Sequence, residues 1–117
     1  MKFMFLLYGD ESANETPSRL PEERAVEWRA FHKKIEDAGN GIGWDALVPS
    51  DTAKTVRPNG PDLAVTDGPY AETKEQLGGV YILECADMSE ALEYARLMPC
   101  SVHGSVEVRQ MLDKSTE

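Results

Sequence analysis

Side chains that can transfer protons or bind polar groups are concentrated in one stretch of the sequence, residues 65–79. Asp67 follows a strand-like run and precedes Gly68-Pro69, a turn sequence, because glycine accepts positive φ and proline fixes φ at about −65°. Polar and ionisable side chains follow: Tyr70, Glu72, Thr73, Lys74 and Glu75. A tight hairpin needs only a few turn residues. The stretch is therefore either a solvated surface loop or a site in which Asp67 is held at a strand end.

His32 is the second candidate for chemistry and one of only two histidines in the chain. It lies four residues after Trp28 and three before Ile35, at the border of the apolar stripe of a predicted helix. Histidine is the residue type that most readily exchanges protons near neutral pH. Two interpretations stay open: a packed core histidine, or the proton-transfer group of a site held close to the sheet.

Periodicity and turn residues predict the elements that must position these groups. Pro21 with its following glutamates begins a helix that ends at Gly39, and a second helix is capped by Asp87 or Ser89 and ended by Pro99. The predicted stripe of this second helix includes Met88 and Leu92 as buried residues. The predicted strands cover residues 2–8, 40–49, 51–58, 62–66, 80–85 and 105–112, and residues 9–20 form a polar loop.

The order is therefore strand, helix, strand, small hairpin, strand, helix, strand. It predicts an α+β fold, a ferredoxin-like sandwich (β-α-β-ββ-α-β) with an antiparallel sheet and two helices on one face. The other face carries Met4, Tyr81 or their alternates and has no helix to cover it. An uncovered apolar face predicts a partner, most simply a second copy packed sheet to sheet as a homodimer.

Length and charge limit the function classes. The 117 residues fit one domain, residues 1–117, and the net charge of −9 disfavours direct nucleic-acid binding and attraction to anionic membranes. No stretch has the length of a signal peptide or a membrane span, and two cysteines make no disulfide framework, so we expect a cytoplasmic protein.

No metal or other cofactor is expected from the sequence. The acceptable ligand types His32, His103, Asp67 and Glu72 include no pair at a recognised chelating spacing. Gly78-Gly79 precedes a strand and not a helix, so it does not form a phosphate cradle. No residue pattern demands haem or flavin.

The stretch VTDGPYAETKEQLGG followed by VYILE resembles the signature of the DGPF branch of the YCII-related proteins. The start KFMFLLYGDE and the ending Val106-Glu107-Val108-Arg109 are similar to that branch too, so the resemblance covers almost the whole chain. One departure is visible: Tyr70 stands where the branch usually has phenylalanine, which keeps the ring and adds a hydroxyl.

The resemblance implies a dimeric α+β barrel made of two ferredoxin-like subunits. It also implies an active site formed by a helix histidine and an aspartate, and His32 and Asp67 are the positions that fit those roles. Some YCII relatives resemble dehydrochlorinases of aromatic compounds, and genes of the DGPF branch often neighbour those of extracytoplasmic-function sigma factors.

Two functions of different classes follow. The first is a cofactor-free enzyme for elimination, isomerisation or hydrolysis of a small molecule, with His32 as general acid/base and Asp67 orienting its ring. Its predicted substrate-binding residues are Tyr8, Tyr70, Glu72, Lys74 and Arg109. The second is a non-catalytic dimeric ligand-binding or regulatory module, with a sigma factor as partner. A third possibility is purely structural: charged residues of the 65–79 stretch would form salt bridges in the dimer.

Overall fold

The computed structural model describes residues 1–13, 21–100 and 104–113. Residues 14–20 of the predicted polar loop and His103 lie outside this described part. The strands and helices are β1 (Lys2–Asp10), α1 (Glu22–Ala38), β2 (Gly41–Ala46), β3 (Lys54–Asn59), β4 (Asp62–Asp67), β5 (Glu75–Glu84), α2 (Met88–Leu97) and β6 (Gly104–Gln110). Two short 3₁₀ turns cover Glu11–Ala13 and Ser50–Thr52.

The described strands form a four-stranded antiparallel sheet in the order β2-β5-β1-β6 and a separate hairpin of β3 and β4. The two helices pack on one face of the larger sheet, where their side chains join one hydrophobic core with β1 and β5. This arrangement confirms the predicted α+β, ferredoxin-like layout, with the hairpin inserted between β2 and β5.

Alternation along β1 separates the two faces of the sheet. Phe3, Phe5 and Leu7 are buried against the helices, and Met4 and its alternates on the other face are half-buried. Met4 and Tyr81 were named together for the uncovered face but lie on opposite faces, because Tyr81 pairs with Phe5 and is buried on the helix-covered face. A strand that is apolar at almost every position does not reveal from its sequence which set of alternate residues faces the helices.

The ends of α1 follow the expected chemistry. The acidic residues Glu22 and Glu23 occupy the first turn, where the helix dipole favours negative charge. Gly39 ends the helix with φ of 69°, and its N–H donates to the carbonyl oxygens of Ile35 and Glu36. The buried side chains of α1 are Phe31 and Ile35, so this helix presents its predicted stripe to the core.

The second helix is capped by Asp87, whose carboxylate accepts a hydrogen bond from the Glu90 N–H at 2.9 Å. Ala91, Ala95 and Met98 are buried. The prediction that Met88 and Leu92 are buried was wrong, since they are 41% and 40% exposed.

Strand β5 begins at Glu75, well before the predicted start. Its polar residues Glu75 and Gln76 pair with Asp10 and Gly9 at the end of β1. The register shifts between Leu7 and Tyr8, which pair with Gly79 and Leu77, so Gly78 is the extra residue of a bulge. The segment between the hairpin and β5 is therefore residues 68–74.

No described helix has the length and apolar character needed to cross a membrane.

Candidate functional site

An aromatic cluster formed by Trp28, Phe31, His32, Trp44 and Tyr81 lies between α1 and the β2–β5 edge of the sheet. The Tyr81 ring stacks with two indoles, with centroids 5.8 Å from Trp28 and 6.2 Å from Trp44 and interplanar angles of 6° and 26°. Phe31 contacts the same ring edge to face at 5.4 Å. Stacked and edge-to-face contacts of this kind fix the position of the phenol.

Local structure places each member of the aromatic cluster. Trp28, Phe31 and His32 lie on one side of α1 because residues three and four apart share a helix face. Trp44 pairs with Tyr81 across β2 and β5, so both rings lie on the same side of the sheet. Gly41 leaves room for the Trp44 indole, since a Cβ there would lie 3.1 Å from a ring carbon.

His32 is joined to the cluster by a hydrogen bond. Its Nε2 lies 2.7 Å from Oη of Tyr81, and its ring centroid is 5.2 Å from that of Trp44. The side chain is half-buried. Nδ1 of His32 makes no hydrogen bond to any residue in the described part of the chain.

Burial shifts the pKa values of two groups in this region, Tyr81 and Cys100. Desolvation raises the pKa of Tyr81 above its ordinary value of 10.0, with a smaller contribution from Cys100. Burial also raises the pKa of the Cys100 thiol to about 11. Both groups are protonated at neutral pH already at their ordinary pKa values, and burial moves their ionisation to more alkaline pH.

This geometry can support acid–base chemistry at a single nitrogen. A neutral His32 can donate Nε2–H to the Tyr81 oxygen, which leaves the Nδ1 lone pair as a base. In the other tautomer Tyr81 donates to Nε2, and Nδ1–H becomes the donor. In both forms Tyr81 is hydrogen-bonded to Nε2.

Asp67, the predicted partner of His32, lies at the end of β4 in the hairpin. Its carboxylate forms an ion pair with the Lys54 ammonium across the β3–β4 pair, and its side chain is 87% exposed. Within the described chain His32 and Asp67 have different partners and do not hydrogen-bond to each other. Their catalytic pairing stays a prediction.

Tyr70 and the turn before it are fixed to the hairpin. The Gly68 N–H donates to the Ala53 carbonyl at 2.7 Å, and the Thr55 hydroxyl donates to the Gly68 carbonyl at 2.9 Å. The Arg57 guanidinium lies 5.2 Å from the Tyr70 ring centroid, and its Nη2 donates to the Tyr70 carbonyl at 2.9 Å. The Tyr70 ring packs on a cation, while the side chain as a whole is 79% exposed.

The other predicted binding residues are dispersed over the molecule. Lys74 Nζ lies 3.8 Å from Asp10 Oδ2 near the end of β1, and hydrogen bonds from Ser12 lower the pKa of that carboxyl group. Tyr8 is half-buried on the uncovered face of β1, Glu72 is exposed, and Arg109 Nε donates to Glu107 Oε2 at 2.7 Å on β6. In the described part of the chain, no hydrogen bond or ion pair joins these residues to one another or to the aromatic cluster.

Sequence reasoning missed Tyr81 and the two tryptophans as functional candidates. In the sequence, Trp28 served only to place His32 on its helix, and Tyr81 was named only as one alternative for the uncovered sheet face. The only sequence feature that pointed to the aromatic cluster was the position of His32 beside an apolar stripe. That position does not identify the residue on a distant strand with which His32 forms a hydrogen bond.

In the ranges 1–13, 21–100 and 104–113, no group of three or more His, Cys, Asp or Glu side chains is arranged to hold a metal ion.

Comparisons with known proteins place this chain in a family. The family model for the YCII-related domain matches residues 1–114. An uncharacterized protein of Rhizobium meliloti (strain 1021) is 39% identical over 114 residues, which cover 95% of this chain and 92% of that protein.

A solved structure shares the fold. The 5-chloro-2-hydroxyhydroquinone dehydrochlorinase TftG from Burkholderia phenoliruptrix AC1100, in complex with 2,5-dihydroxybenzoquinone, is similar with a TM-score of 0.53 at 12% sequence identity. The match covers 99% of this chain and 98% of that chain. Because the identity is low, this likeness concerns the fold alone. The match over residues 1–114 and the 39% identical relative show that the chain belongs to the YCII-related family.

Proposed function

We propose that this protein is an enzyme that transfers a proton between His32 and a planar small molecule. The observation that carries the proposal is the 2.7 Å hydrogen bond between His32 Nε2 and Tyr81 Oη inside the aromatic cluster. It orients one imidazole nitrogen toward the protein and leaves Nδ1 for a substrate. General acid–base catalysis needs a positioned group of this kind.

Tyr81 supports the reaction by holding the imidazole in both charge states. When Nδ1 accepts a proton, the imidazolium donates Nε2–H to the Tyr81 oxygen, and this hydrogen bond is stronger because the donor is charged. The raised pKa of Tyr81 keeps the phenol neutral, so the pair does not carry a second charge into the site. This is the orienting role that was predicted for Asp67.

The surroundings of His32 favour a flat, aromatic substrate. The Trp44 indole is 44% exposed and contacts the His32 ring, so it offers a face on which a planar molecule can stack. TftG, which shares the fold, is named a dehydrochlorinase and is seen with a dihydroxybenzoquinone. A hydroxylated, halogenated hydroquinone is therefore our first substrate class.

The corresponding reaction would be an elimination. In the keto tautomer of the substrate, the proton of one ring hydroxyl group has moved to the chlorine-bearing carbon. His32 Nδ1 then takes the proton of the second hydroxyl group, whose oxygen becomes a carbonyl, a ring C=C bond forms at the chlorine-bearing carbon, and chloride leaves. The net change is loss of HCl with formation of a quinone. The step needs no oxidant. Isomerisation and hydrolysis use the same proton transfer and stay alternatives within the proposal.

We also infer that the chain is a member of the DGPF branch and a homodimer. In Asp67-Gly68-Pro69-Tyr70 the Tyr70 ring packs on Arg57, which a phenylalanine ring would do equally well. The radius of gyration of 16.1 Å exceeds the roughly 13 Å typical of a compact chain of this length. With one sheet face uncovered, this extended shape supports packing of two copies.

The homodimer also leaves a role for the dispersed predicted residues. A second copy could bring Asp67, Tyr8, Tyr70, Glu72, Lys74 or Arg109 to the aromatic cluster, and their contribution to substrate binding stays a prediction. A sigma factor as partner stays a prediction as well, as does the cytoplasmic location.

The test uses the chain's own tryptophans as reporters. The sequence has two tryptophans, and both belong to the aromatic cluster, so quenching of intrinsic fluorescence by 2,5-dihydroxybenzoquinone reports binding near His32. Turnover of 5-chloro-2-hydroxyhydroquinone is followed by chloride release and quinone absorbance. Wild type, His32→Gln and the matched control Lys34→Gln, an exposed position on the same helix, are compared.

We expect the His32→Gln substitution to lower kcat by about 10²- to 10⁴-fold while Lys34→Gln leaves it unchanged. Full activity of His32→Gln would exclude His32 as the acid–base group. Saturable quenching without turnover of any chlorinated hydroquinone would instead favour the non-catalytic ligand-binding module. Absence of both quenching and turnover would reject this substrate class.

A further inference from the structure

A bulge interrupts β2 close to its start. Gly41 pairs with Leu83 of β5. The next pair joins Gly43 to the adjacent residue of β5, Ile82. Ile42 is therefore an extra residue on β2, which is the defining feature of a β-bulge. Bulges are over-represented next to active sites, where they change the direction in which a side chain points.

The bulge places Gly41 and Trp44 on the same side of the sheet. Residues three apart in a regular strand point to opposite faces. Here Gly41 pairs with Leu83. Trp44 pairs with Tyr81. Both partners are buried on the helix-covered face, so without the extra residue one member of the Gly41 and Trp44 pair would point away from α1. The indole lies beside the His32 ring because of this local irregularity.

The space beside Gly41 is occupied by neighbouring side chains. A Cβ at this position would lie 3.1 Å from Cζ3 of Trp44 and 3.4 Å from Cδ1 of Ile35. Both distances are shorter than the optimal separation of two carbon atoms, which is about 3.5–4.0 Å. Ile35 is 1% exposed within the packed core, whereas Trp44 is 44% exposed. The indole is therefore the group that a side chain at position 41 would displace.

We propose that Gly41 is a positioning residue for the Trp44 indole and thereby determines the affinity of the site for planar ligands. The inference rests on the proposed function in one respect, because it takes the exposed indole as the face on which a planar ligand stacks. Gly41 does not touch the ligand. It acts by leaving the indole in the position that the structure shows.

The position of the indole matters because the ring is held from several sides. Its centroid lies 5.2 Å from that of His32 and 6.2 Å from that of Tyr81, and its Cζ3 occupies the space beside Gly41. A methyl group at position 41 would push the ring by a few tenths of an ångström and change these contacts. A ligand that stacks on a ring already held in one position does not have to order it, and this preorganisation increases affinity.

A purely structural role of Gly41 is the alternative, and Gly43 is the matched control for it. Gly43 lies two residues further along β2, and a Cβ there would meet no atom within 4 Å. Replacing either glycine by alanine reduces the conformational freedom of the unfolded chain to the same extent. Gly41→Ala therefore differs from Gly43→Ala in the contact with the Trp44 and Ile35 side chains.

The Kd of 2,5-dihydroxybenzoquinone, measured by isothermal titration calorimetry on the full chain, tests the proposal. Gly41→Ala should raise this Kd by about 2- to 10-fold, within the range that one aromatic contact contributes. Gly43→Ala should leave the Kd unchanged. Near-UV circular dichroism of the ligand-free protein should change in Gly41→Ala alone, because this signal depends on fixed packing of aromatic rings. Far-UV circular dichroism checks that each variant is folded.

Removal of the indole tests whether Gly41 acts through Trp44. Trp44→Leu should itself raise the Kd by about 2- to 10-fold, because the stacking face is lost. Adding Gly41→Ala to Trp44→Leu should raise the Kd no further, since no indole is left to displace. Additive effects of the two substitutions would show that Gly41 acts by another route and would overturn the proposal.

The binding measurements separate this proposal from the proposed catalysis. Equal Kd values for wild type and Gly41→Ala, or no binding of the quinone to wild type, would overturn the role of Gly41 even if a chlorinated hydroquinone were turned over. Binding that depends on Gly41 and Trp44 in a protein without any turnover would support the positioning role and reject the enzyme.

Discussion

Oη of Tyr81 lies 2.7 Å from Nε2 of His32, and the phenol ring that carries it stacks with both Trp28 and Trp44. The phenol cannot turn away without breaking two ring contacts, so the direction of the hydrogen bond is fixed by packing. A histidine held this way has lost part of its rotational freedom before any ligand arrives. Because that freedom need not be lost again on binding, the arrangement is suited to proton transfer.

Removing only the Tyr81 hydroxyl tests the hydrogen bond to His32 while the packing of the Tyr81 ring is kept. Tyr81→Phe keeps the stacked ring but deprives His32 of its partner, and we expect the free energy of unfolding to fall by about 1 kcal/mol. With a chlorinated hydroquinone as substrate, kcat should fall while KM changes little, because the imidazole is less well oriented. Urea unfolding and steady-state kinetics measure the two effects.

Tyr94→Phe is the matched control for Tyr81→Phe. Tyr94 packs against the same core, and its hydroxyl makes no hydrogen bond to the described residues. Its removal should change the free energy of unfolding by less than about 0.5 kcal/mol. Equal losses in the two variants would show that the His32–Tyr81 hydrogen bond has no special contribution.

Two thiols and one phenol with raised pKa values should make the free energy of unfolding fall at alkaline pH. Burial raises the pKa of Cys85 and of Cys100 from 9.0 to about 11, and it raises that of Tyr81 above 10.0. Above about pH 9 the unfolded chain has fewer protons on these groups than the folded chain, so the free energy of unfolding decreases as pH rises. Below that pH their contribution is fully present.

Urea unfolding in the presence of a reductant, at a series of pH values from about 8 upward, measures this slope. Each group contributes at most about −1.4 kcal/mol per pH unit in its window. Cys100→Ala removes one of the three groups with a raised pKa. The free energy of unfolding of this variant should therefore fall less steeply with pH than that of wild type. A free energy of unfolding that stays constant across the series would contradict the raised pKa values.

Local sequence features predicted much of the fold, because residues at the ends of several helices and strands determine where those elements begin and end. Gly39 ends α1 through a left-handed backbone conformation that glycine adopts without strain, and Gly60 turns the β3–β4 hairpin with φ of 62°. The nearly continuous apolar run of β1 indicated a central strand, and the structure places β1 between β5 and β6. Each of these signals acts over a few residues.

The remaining features depend on residues distant in the sequence. Glu75 and Gln76 enter β5 because Asp10 and Gly9 offer backbone partners, not because their side chains favour a strand. Likewise, His32 meets Tyr81 because the register of β5 against β1 sends that ring toward α1. A single sequence contains the two residues but not the register, so the location of His32 could be predicted while its partner could not.

The close approach of β1 and β6 gives the last prediction. Gly104 pairs with Gly9, and a Cβ at position 104 would lie 2.1 Å from the carbonyl oxygen of Tyr8 and 3.3 Å from Cα of Gly9. Both neighbours are backbone atoms, which cannot rotate away. Gly104→Ala should therefore separate the strands at this end and lower the free energy of unfolding by about 3 kcal/mol.

Gly9→Ala is the control for Gly104→Ala, because a Cβ at position 9 would meet no atom within 4 Å. Its free energy of unfolding should stay within about 0.5 kcal/mol of wild type. Amide hydrogen exchange should add spatial detail: in Gly104→Ala, faster exchange is expected at the Tyr8 end of β1 and not at Phe3. Equal urea midpoints for the two variants would contradict this prediction, because they would show that the Tyr8 carbonyl does not exclude a side chain at position 104.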